Sequence, residues 1–315
     1  MDGERIIIKK RSGRSAIDWG KMWATFFSLV GLCFIIYVPH YVIGMSWELM
    51  LLAFFGYMLY LPKKSELARQ MRLFKWLRED WCQLSFKGQT GVILDKKTPR
   101  VFGFHPHGVH CVGASLMASE PTMRHLRIAC TTFLFWVPVI KEFCSWGNAF
   151  PCDREHIENN LKAGTPIVIY PGGINEIPWA NYLREEQYQL KEGEDERYYV
   201  YKKRMGFIRV AMNTGVDVVP CWVDGENDLY GPVCHPLHRI QKWCYNTFRY
   251  PWPVISFGWR WVPFLPKRKK VTVWVGDPIP TTADGDLVEY HKQYHESLQR
   301  LIDEVKNSKK LKTDK

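Results

Sequence analysis

The sequence predicts a mixed α/β sheet flanked by helices, preceded by an N-terminal transmembrane or re-entrant helical hairpin. Three observations carry this reading. Short apolar runs between turn residues alternate with helical periodicities along the body of the chain, a charge-free apolar run lies near the N-terminus, and basic flanks bracket that run. A chain of 315 residues can bury one sizeable core and carry an appendage. Its 24% charged residues exclude a protein lying wholly within a membrane, while 46% apolar and 15% aromatic residues suit a surface that partly meets lipid. The expected partition is a basic cytosolic terminus over 1–21, a membrane hairpin over 22–62 and a cytosol-facing domain over 63–315.

Met22 to Met45 carries no Asp, Glu, Lys or Arg and would rise about 36 Å as a helix, enough to cross a bilayer. The next apolar run, Leu49 to Leu61, would rise only about 20 Å. With Pro39, His40 and Gly44 at the join, a re-entrant hairpin and two tilted short helices both fit, the alternative being a helical hairpin buried in a soluble protein. A secretory signal would carry one shorter apolar core and a cleavage site, so the segment reads as a retained anchor. Arg5, Lys9, Lys10, Arg11, Arg14 and Lys21 precede the apolar region, Lys63, Lys64, Arg69, Arg72, Lys75 and Arg78 follow it, and no Lys or Arg lies between. The positive-inside rule then places both ends in the cytosol.

Beyond a basic amphipathic stretch, Glu66 to Arg78, strands are expected at Thr90–Leu94, Arg100–Phe104, Pro166–Tyr170, Asp217–Trp222 and Lys270–Val275. Helices are expected at Gly113–Ser119, Arg154–Lys162, Gly206–Asn213 and Asp286–Asn307. In the last, Leu287, His291, Tyr294, Leu298, Leu301 and Val305 recur at steps of three and four and form one stripe. Tyr182 to Arg204 reads as a charged surface insertion. Ile240 to Pro266, with Trp243, Trp252, Trp259 and Trp261 and followed by Lys267 to Lys270, suits either a bilayer interface or an aromatic subcore.

The formal charge of +11 points to an anionic partner: a phospholipid surface, a nucleic acid or a phosphate-bearing co-substrate. Nucleic acid is set aside because the basic residues cluster beside the apolar segments instead of along one soluble face. Nine scattered cysteines without a C-x-x-C pair read as reduced thiols, placing the catalytic part on the cytosolic side.

The chemistry is concentrated in His105-Pro106-His107-Gly108, directly after a predicted strand. An imidazole titrating near 6.5 can take a proton from an alcohol and return it to a leaving thiolate, and Gly108 admits a substrate closely. With His110 the segment makes H-x-H-x-x-H, but no carboxylate or cysteine in a metal-ligand spacing completes a site, so no metal is expected. Tyr170-Pro171-Gly172-Gly173 ends a second strand and leads to Glu176. The glycine N–H groups can face a developing oxyanion, and Glu176 either orients the histidine or caps a helix start. No G-x-S-x-G elbow marks a hydrolase.

These segments resemble the type 2 diacylglycerol acyltransferase family, which includes monoacylglycerol and wax-alcohol acyltransferases. The resemblance rests on F-G-F-H-P-H-G (Phe102–Gly108), P-C-D-R (Pro151–Arg154), Y-P-G-G-x-x-E (Tyr170–Glu176), R-M-G-F (Arg204–Phe207), the run Val219–Tyr230 and V-G-D-P-I (Val275–Ile279). It implies a glycerolipid-acyltransferase-like fold and acyl transfer from acyl-CoA to diacylglycerol, forming triacylglycerol. Other acceptors it allows are monoacylglycerol and a fatty alcohol; the rival class is a non-catalytic lipid-binding protein with the same fold. By resemblance, His107 and His105 are catalytic and Glu176 supports them, while Gly108, Gly172, Gly173, Arg204, Gly206, Glu226 and Asn227 bind substrate. The alcohol is expected to attack the thioester directly. No cofactor is implied beyond acyl-CoA as co-substrate. Membrane lipids are expected partners, homo-oligomerisation is left open, and the expected location is the endoplasmic reticulum membrane or the lipid droplet surface. Trp222-Val223-Asp224-Gly225 stands where the family has an aromatic in an S-F-G-E-N-like run, and the Tyr182–Arg204 insertion is long for the family.

Overall fold

The computed structural model describes residues 44, 46–59, 71–137, 140–176, 200–230, 243–244, 246–247, 258–259 and 265–313. The chain divides into two compact units, Met1–Tyr60 with Trp136–Pro138, and Leu61–Phe135 with Val139–Lys315. In the first unit the described helix is α1 (Trp47–Leu59), thirteen residues that span about 20 Å and expose Leu52, Phe55 and Leu59. Among the described residues no helix is long and apolar enough to cross a membrane. Apart from Gly44, the run Met22–Met45 lies outside the described residues, as do most of Tyr182–Arg204 and Ile240–Pro266.

The second unit is built on a seven-stranded sheet in the order β1-β7-β6-β2-β5-β3-β4. Its strands are β1 (Ser85–Gly88), β2 (Arg100–His105), β3 (Arg127–Cys130), β4 (Ala149–Pro151), β5 (Ile167–Ile169), β6 (Asp217–Asp224) and β7 (Thr272–Val275). Every adjacent pair is parallel except β6 with β7, which makes the sheet mixed, as the sequence predicts. The helices of this unit are α2 (Arg72–Trp76), α3 (Thr90–Leu94), α4 (Val112–Ala118), α5 (Ile140–Trp146), α6 (Arg154–Lys162), α7 (Gly206–Thr214) and α8 (Leu287–Thr313). Asp153 caps α6 by accepting the His156 N–H at 3.1 Å, which is why that helix begins where the sequence places it.

One expected strand is corrected. Thr90–Leu94 is the short helix α3, and the edge strand is the preceding Ser85–Gly88, paired in register with Thr272–Val275. An apolar run of this length does not distinguish strand from helix by periodicity, and here a single fully buried residue, Ile93, satisfies the core. The strands β3 and β4, four and three residues long, are too short to signal themselves.

Two cores cover the two faces of the sheet, and β2 feeds both by its alternation. Phe102 and Phe104 join one core with α4, while Val101 joins the other, where Phe207 and Ile208 of α7 and Tyr294, Leu298 and Leu301 of α8 pack. The stripe on α8 is therefore a buried face. The same alternation sends the His105 side chain toward α8 and buries it completely.

Candidate active site

The parallel strands β2, β5 and β6 all end on one side of the sheet, and each runs directly into a predicted site segment. β2 leads into Pro106-His107-Gly108, β5 into Tyr170–Glu176, and β6 into Gly225–Asp228. After β2 the next strand, β3, lies on one side of it beyond β5, whereas β6, the strand after β5, lies on its other side. A crevice of this kind, where strand order reverses, is where open α/β sheets hold ligands.

His107 lies one residue past a cis His105–Pro106 bond, half-buried. Its Nδ1 is 3.0 Å from the Gly108 carbonyl, which only accepts, so Nδ1 carries the hydrogen and Nε2 presents the lone pair. Burial, the largest influence, lowers the pKa of His107 despite the Gly108 carbonyl and the Glu176 charge, which favour the charged ring. The group is thus a neutral imidazole with a defined basic nitrogen.

The partner of that nitrogen is Cys111, whose Sγ stands 3.2 Å from Nε2. Burial, then the carboxylates of Glu226 and Glu176, hold this thiol well above its usual value, so it donates S–H instead of acting as a thiolate. Cys111 also adopts φ of 50°, a left-handed conformation uncommon for a residue with a side chain. Tyr170 packs edge-on to the His107 ring at 5.2 Å and accepts the Ala114 N–H at 3.3 Å.

Glu176 sits differently from the sequence expectation. Its Oε2 accepts the backbone N–H of His107 at 2.8 Å and its Oε1 accepts that of Tyr201 at 2.9 Å. The ring that it faces is His105, whose Nδ1 is 3.4 Å from Oε1, an ion-pair distance outside hydrogen-bond alignment. Burial opposes ionisation most strongly, but the His105 ring and the two N–H groups together hold the carboxyl below its usual value. The carboxylate therefore holds the backbone of His107 and the ring of His105. Sequence order cannot show this, because β2 turns successive side chains to opposite faces.

Gly172 gives Glu176 its room, since a Cβ there would come within 2.0 Å of the carboxyl carbon. Gly108 has φ of 62°, and a Cβ on it would meet Glu226 Cγ at 2.7 Å. Glu226 is buried beneath the loop, and its two oxygens accept the Val112 and Gly113 N–H groups, each at 2.7 Å. Burial raises its pKa to about 7 against those two bonds. Arg204 is exposed, with Nη1 3.7 Å from the Cβ position of Gly173, and its charge reaches His107. Gly206 opens α7 with open space around it. Asn227 lines a small recess with Pro106, Trp222 and Lys309.

The three histidines make separate contacts. His105 contacts Tyr294, His107 contacts Gly108 and Cys111, and His110 packs edge-on to Tyr230 at 5.1 Å, where burial lowers its pKa to about 4. Among the described residues no group of three or more His, Cys, Asp or Glu is placed to hold a metal ion. Sequence reading missed Cys111 and Tyr294; the spacing of Cys111, four residues after His107, was the available signal for the first.

A neutral imidazole where parallel strands end, its backbone held by buried Glu176 and the following loop by buried Glu226, defines an α/β protein with a site able to accept a proton. Residues 37–315 match the diacylglycerol acyltransferase family, and the chain belongs to that family. It is 30% identical over 235 residues to diacylglycerol O-acyltransferase 2 of Xenopus tropicalis, covering 65% of this chain and 60% of the relative. Against 2-acylglycerol O-acyltransferase 3 of Homo sapiens it is 28% identical over 271 residues, with 75% of each chain covered. Against diacylglycerol O-acyltransferase 2 of Dictyostelium discoideum it is 26% identical over 319 residues, with 90% of each covered. The chain spans 56–60% of the length of the first diacylglycerol O-acyltransferase 2 relatives that it matches.

Proposed function

We propose that this protein transfers a fatty acyl group from acyl-CoA to the hydroxyl of a lipid alcohol, with diacylglycerol as acceptor and triacylglycerol as product. The observation that carries this reading is the single, fixed basic nitrogen of His107, neutral and half-buried where the parallel strands end. The acceptor hydroxyl replaces the Cys111 S–H at Nε2 and gives its proton to the ring. As that proton leaves, the oxygen attacks the thioester carbonyl, a C–O bond forms, the C–S bond breaks, and the proton passes from His107 to the departing thiolate. Gly172, packed on Glu176, and Gly173, near Arg204, supply backbone N–H groups for the developing oxyanion, and exposed Arg204 supplies positive charge for the phosphates of coenzyme A. No cofactor or metal enters this scheme. Similarity to 2-acylglycerol O-acyltransferase 3 makes monoacylglycerol the second acceptor to examine.

In the same reading the region 22–62 is a membrane hairpin that brings residues 63–315 to the cytosolic face of the endoplasmic reticulum or to a lipid droplet, within reach of an acceptor dissolved in the membrane. The apolar, charge-free run and its basic flanks support this. The experiment is to incubate purified full-length protein with labelled acyl-CoA and, separately, diacylglycerol, monoacylglycerol and a fatty alcohol. Labelled ester is expected with an acylglycerol and is expected to be absent with His107→Ala. Absence of ester with every acceptor, or full turnover by a folded His107→Ala protein, overturns the proposal.

A further inference from the structure

Tyr294 lies on α8, far along the chain from the histidine segment, and yet its side chain ends inside the site. Its ring is completely buried, held edge-on by Phe207 of α7 at 4.9 Å. Its hydroxyl is 3.1 Å from the Gly103 carbonyl and 3.1 Å from His105 Nε2. A phenol has one hydrogen. The carbonyl can only accept, so that hydrogen goes to Gly103, and the second contact runs the other way, from His105 Nε2–H to the phenol oxygen. The other ring nitrogen, Nδ1, is then turned to Glu176 at 3.4 Å, where it attracts that carboxylate only when it too carries a hydrogen.

Residue 103 is fitted to this arrangement. A Cβ there would come within 2.1 Å of the Tyr294 hydroxyl, so the glycine between the two phenylalanines of β2 is the space the phenol occupies. The contacts lie in series: Tyr294 Oη to His105 Nε2 at 3.1 Å, His105 Nδ1 to Glu176 Oε1 at 3.4 Å as an ion-pair contact without hydrogen-bond alignment, and Glu176 Oε2 to the backbone N–H of His107 at 2.8 Å. His105, Glu176 and Tyr294 are each at least 98% buried, so the series is shielded from water, and a polar group that loses its partner there cannot be rescued by solvent.

We infer that Tyr294 is a positioning residue of the active site, its hydroxyl fixing which nitrogen of His105 faces Glu176 and thereby the backbone that carries His107. The assignment rests on the acyl-transfer reading given above. It makes the C-terminal helix part of the catalytic apparatus and gives His105 a role distinct from that of the base.

The test is Tyr294→Phe in the full-length protein, which keeps the buried ring and removes only the hydroxyl. Loss of one buried hydrogen bond of this kind should lower kcat roughly tenfold, with KM for acyl-CoA unchanged, because the bond acts on the base and not on donor binding. Val305→Ala is the control: it opens space in the same inner-face core, further along α8 and away from the hydroxyl, so it should lower the thermal midpoint and leave kcat within about twofold. A Tyr294→Phe protein with wild-type kcat, whatever its thermal midpoint, overturns the inference. So does a loss shared equally by both variants. Tyr294→Phe and His105→Gln should also be non-additive in thermal stability, and this readout separates the two claims. Coupled stability in a protein that forms no ester would overturn the acyl-transfer reading, while additive stability in an active protein would overturn the role of Tyr294. Should the Phe variant fail to fold, fluorinated tyrosines at 294 keep the hydroxyl but weaken it as an acceptor. Then kcat should fall with each fluorine, and a flat series would overturn the assignment.

Discussion

Glu226→Gln separates what a buried carboxylate does for the fold from what it does for substrate. Glu226 is 2% exposed, and each oxygen accepts one backbone N–H at the start of α4. Burial raises its pKa from 4.5 to about 7. Since the folded protein holds this proton more tightly than the unfolded chain, the associated stability is fully present below about pH 4.5 and is lost as pH rises through about 7. At 1.36 kcal/mol per unit, the total is on the order of 3 kcal/mol, of which about 2 kcal/mol falls between pH 5.5 and pH 8. Glutamine removes the titration. It also turns an NH₂ toward one of the two N–H groups, a penalty of about 1–3 kcal/mol that does not vary with pH. Thermal unfolding of the two proteins across that interval should therefore show the wild type losing ground to Glu226→Gln, by about 4–8 °C if each kcal/mol moves the midpoint by about 2–4 °C. A constant offset would show that Glu226 does not titrate in this range. A wild type that gains on the variant as pH rises would mean that the two amide bonds outweigh burial, and the physical account of the loop would be wrong.

Three further outcomes are expected. Because burial lowers the pKa of His107, its neutral form persists into acid, and the acid limb of kcat/KM should lie below pH 6.5; a limb above 6.5 would mean another group is the base. Glu176→Gln retains an acceptor for only one of the Tyr201 and His107 N–H groups, so the rate should fall about 10–100-fold and the thermal midpoint should drop with it; in combination with His107→Ala it should add little, and a fully active Gln variant would exclude the brace. Tags at Met1 and Lys315 should both be open to protease added to intact vesicles, since both flanks of the apolar region are basic; protection of one tag would show a single span.

Much of this protein is legible in its sequence because the information is local. Strand β2 and helices α6 and α8 are written in apolar periodicity and in the Asp153 cap, and the chemistry is announced by a histidine pair and a Pro-Gly-Gly turn placed directly after apolar strands. The segment Thr90–Leu94 shows where that information runs out, since five residues do not carry a period. Partner choice is not local at all. The sequence places Glu176 near the histidines without saying which ring it meets, because that depends on the parallel pairing of β2 with β5 and on the alternation that sends His105 to the inner face and leaves His107 in the loop. The Tyr294 hydroxyl reaches His105 across 189 residues, and Glu226 reaches the start of α4 across more than a hundred. Residue types and their order determined which chemistry this chain can perform. Only the packed sheet, by bringing the ends of β2, β5 and β6 to one side and closing α8 over the inner face, decided which nitrogen of His107 carries the free lone pair and what holds that residue there.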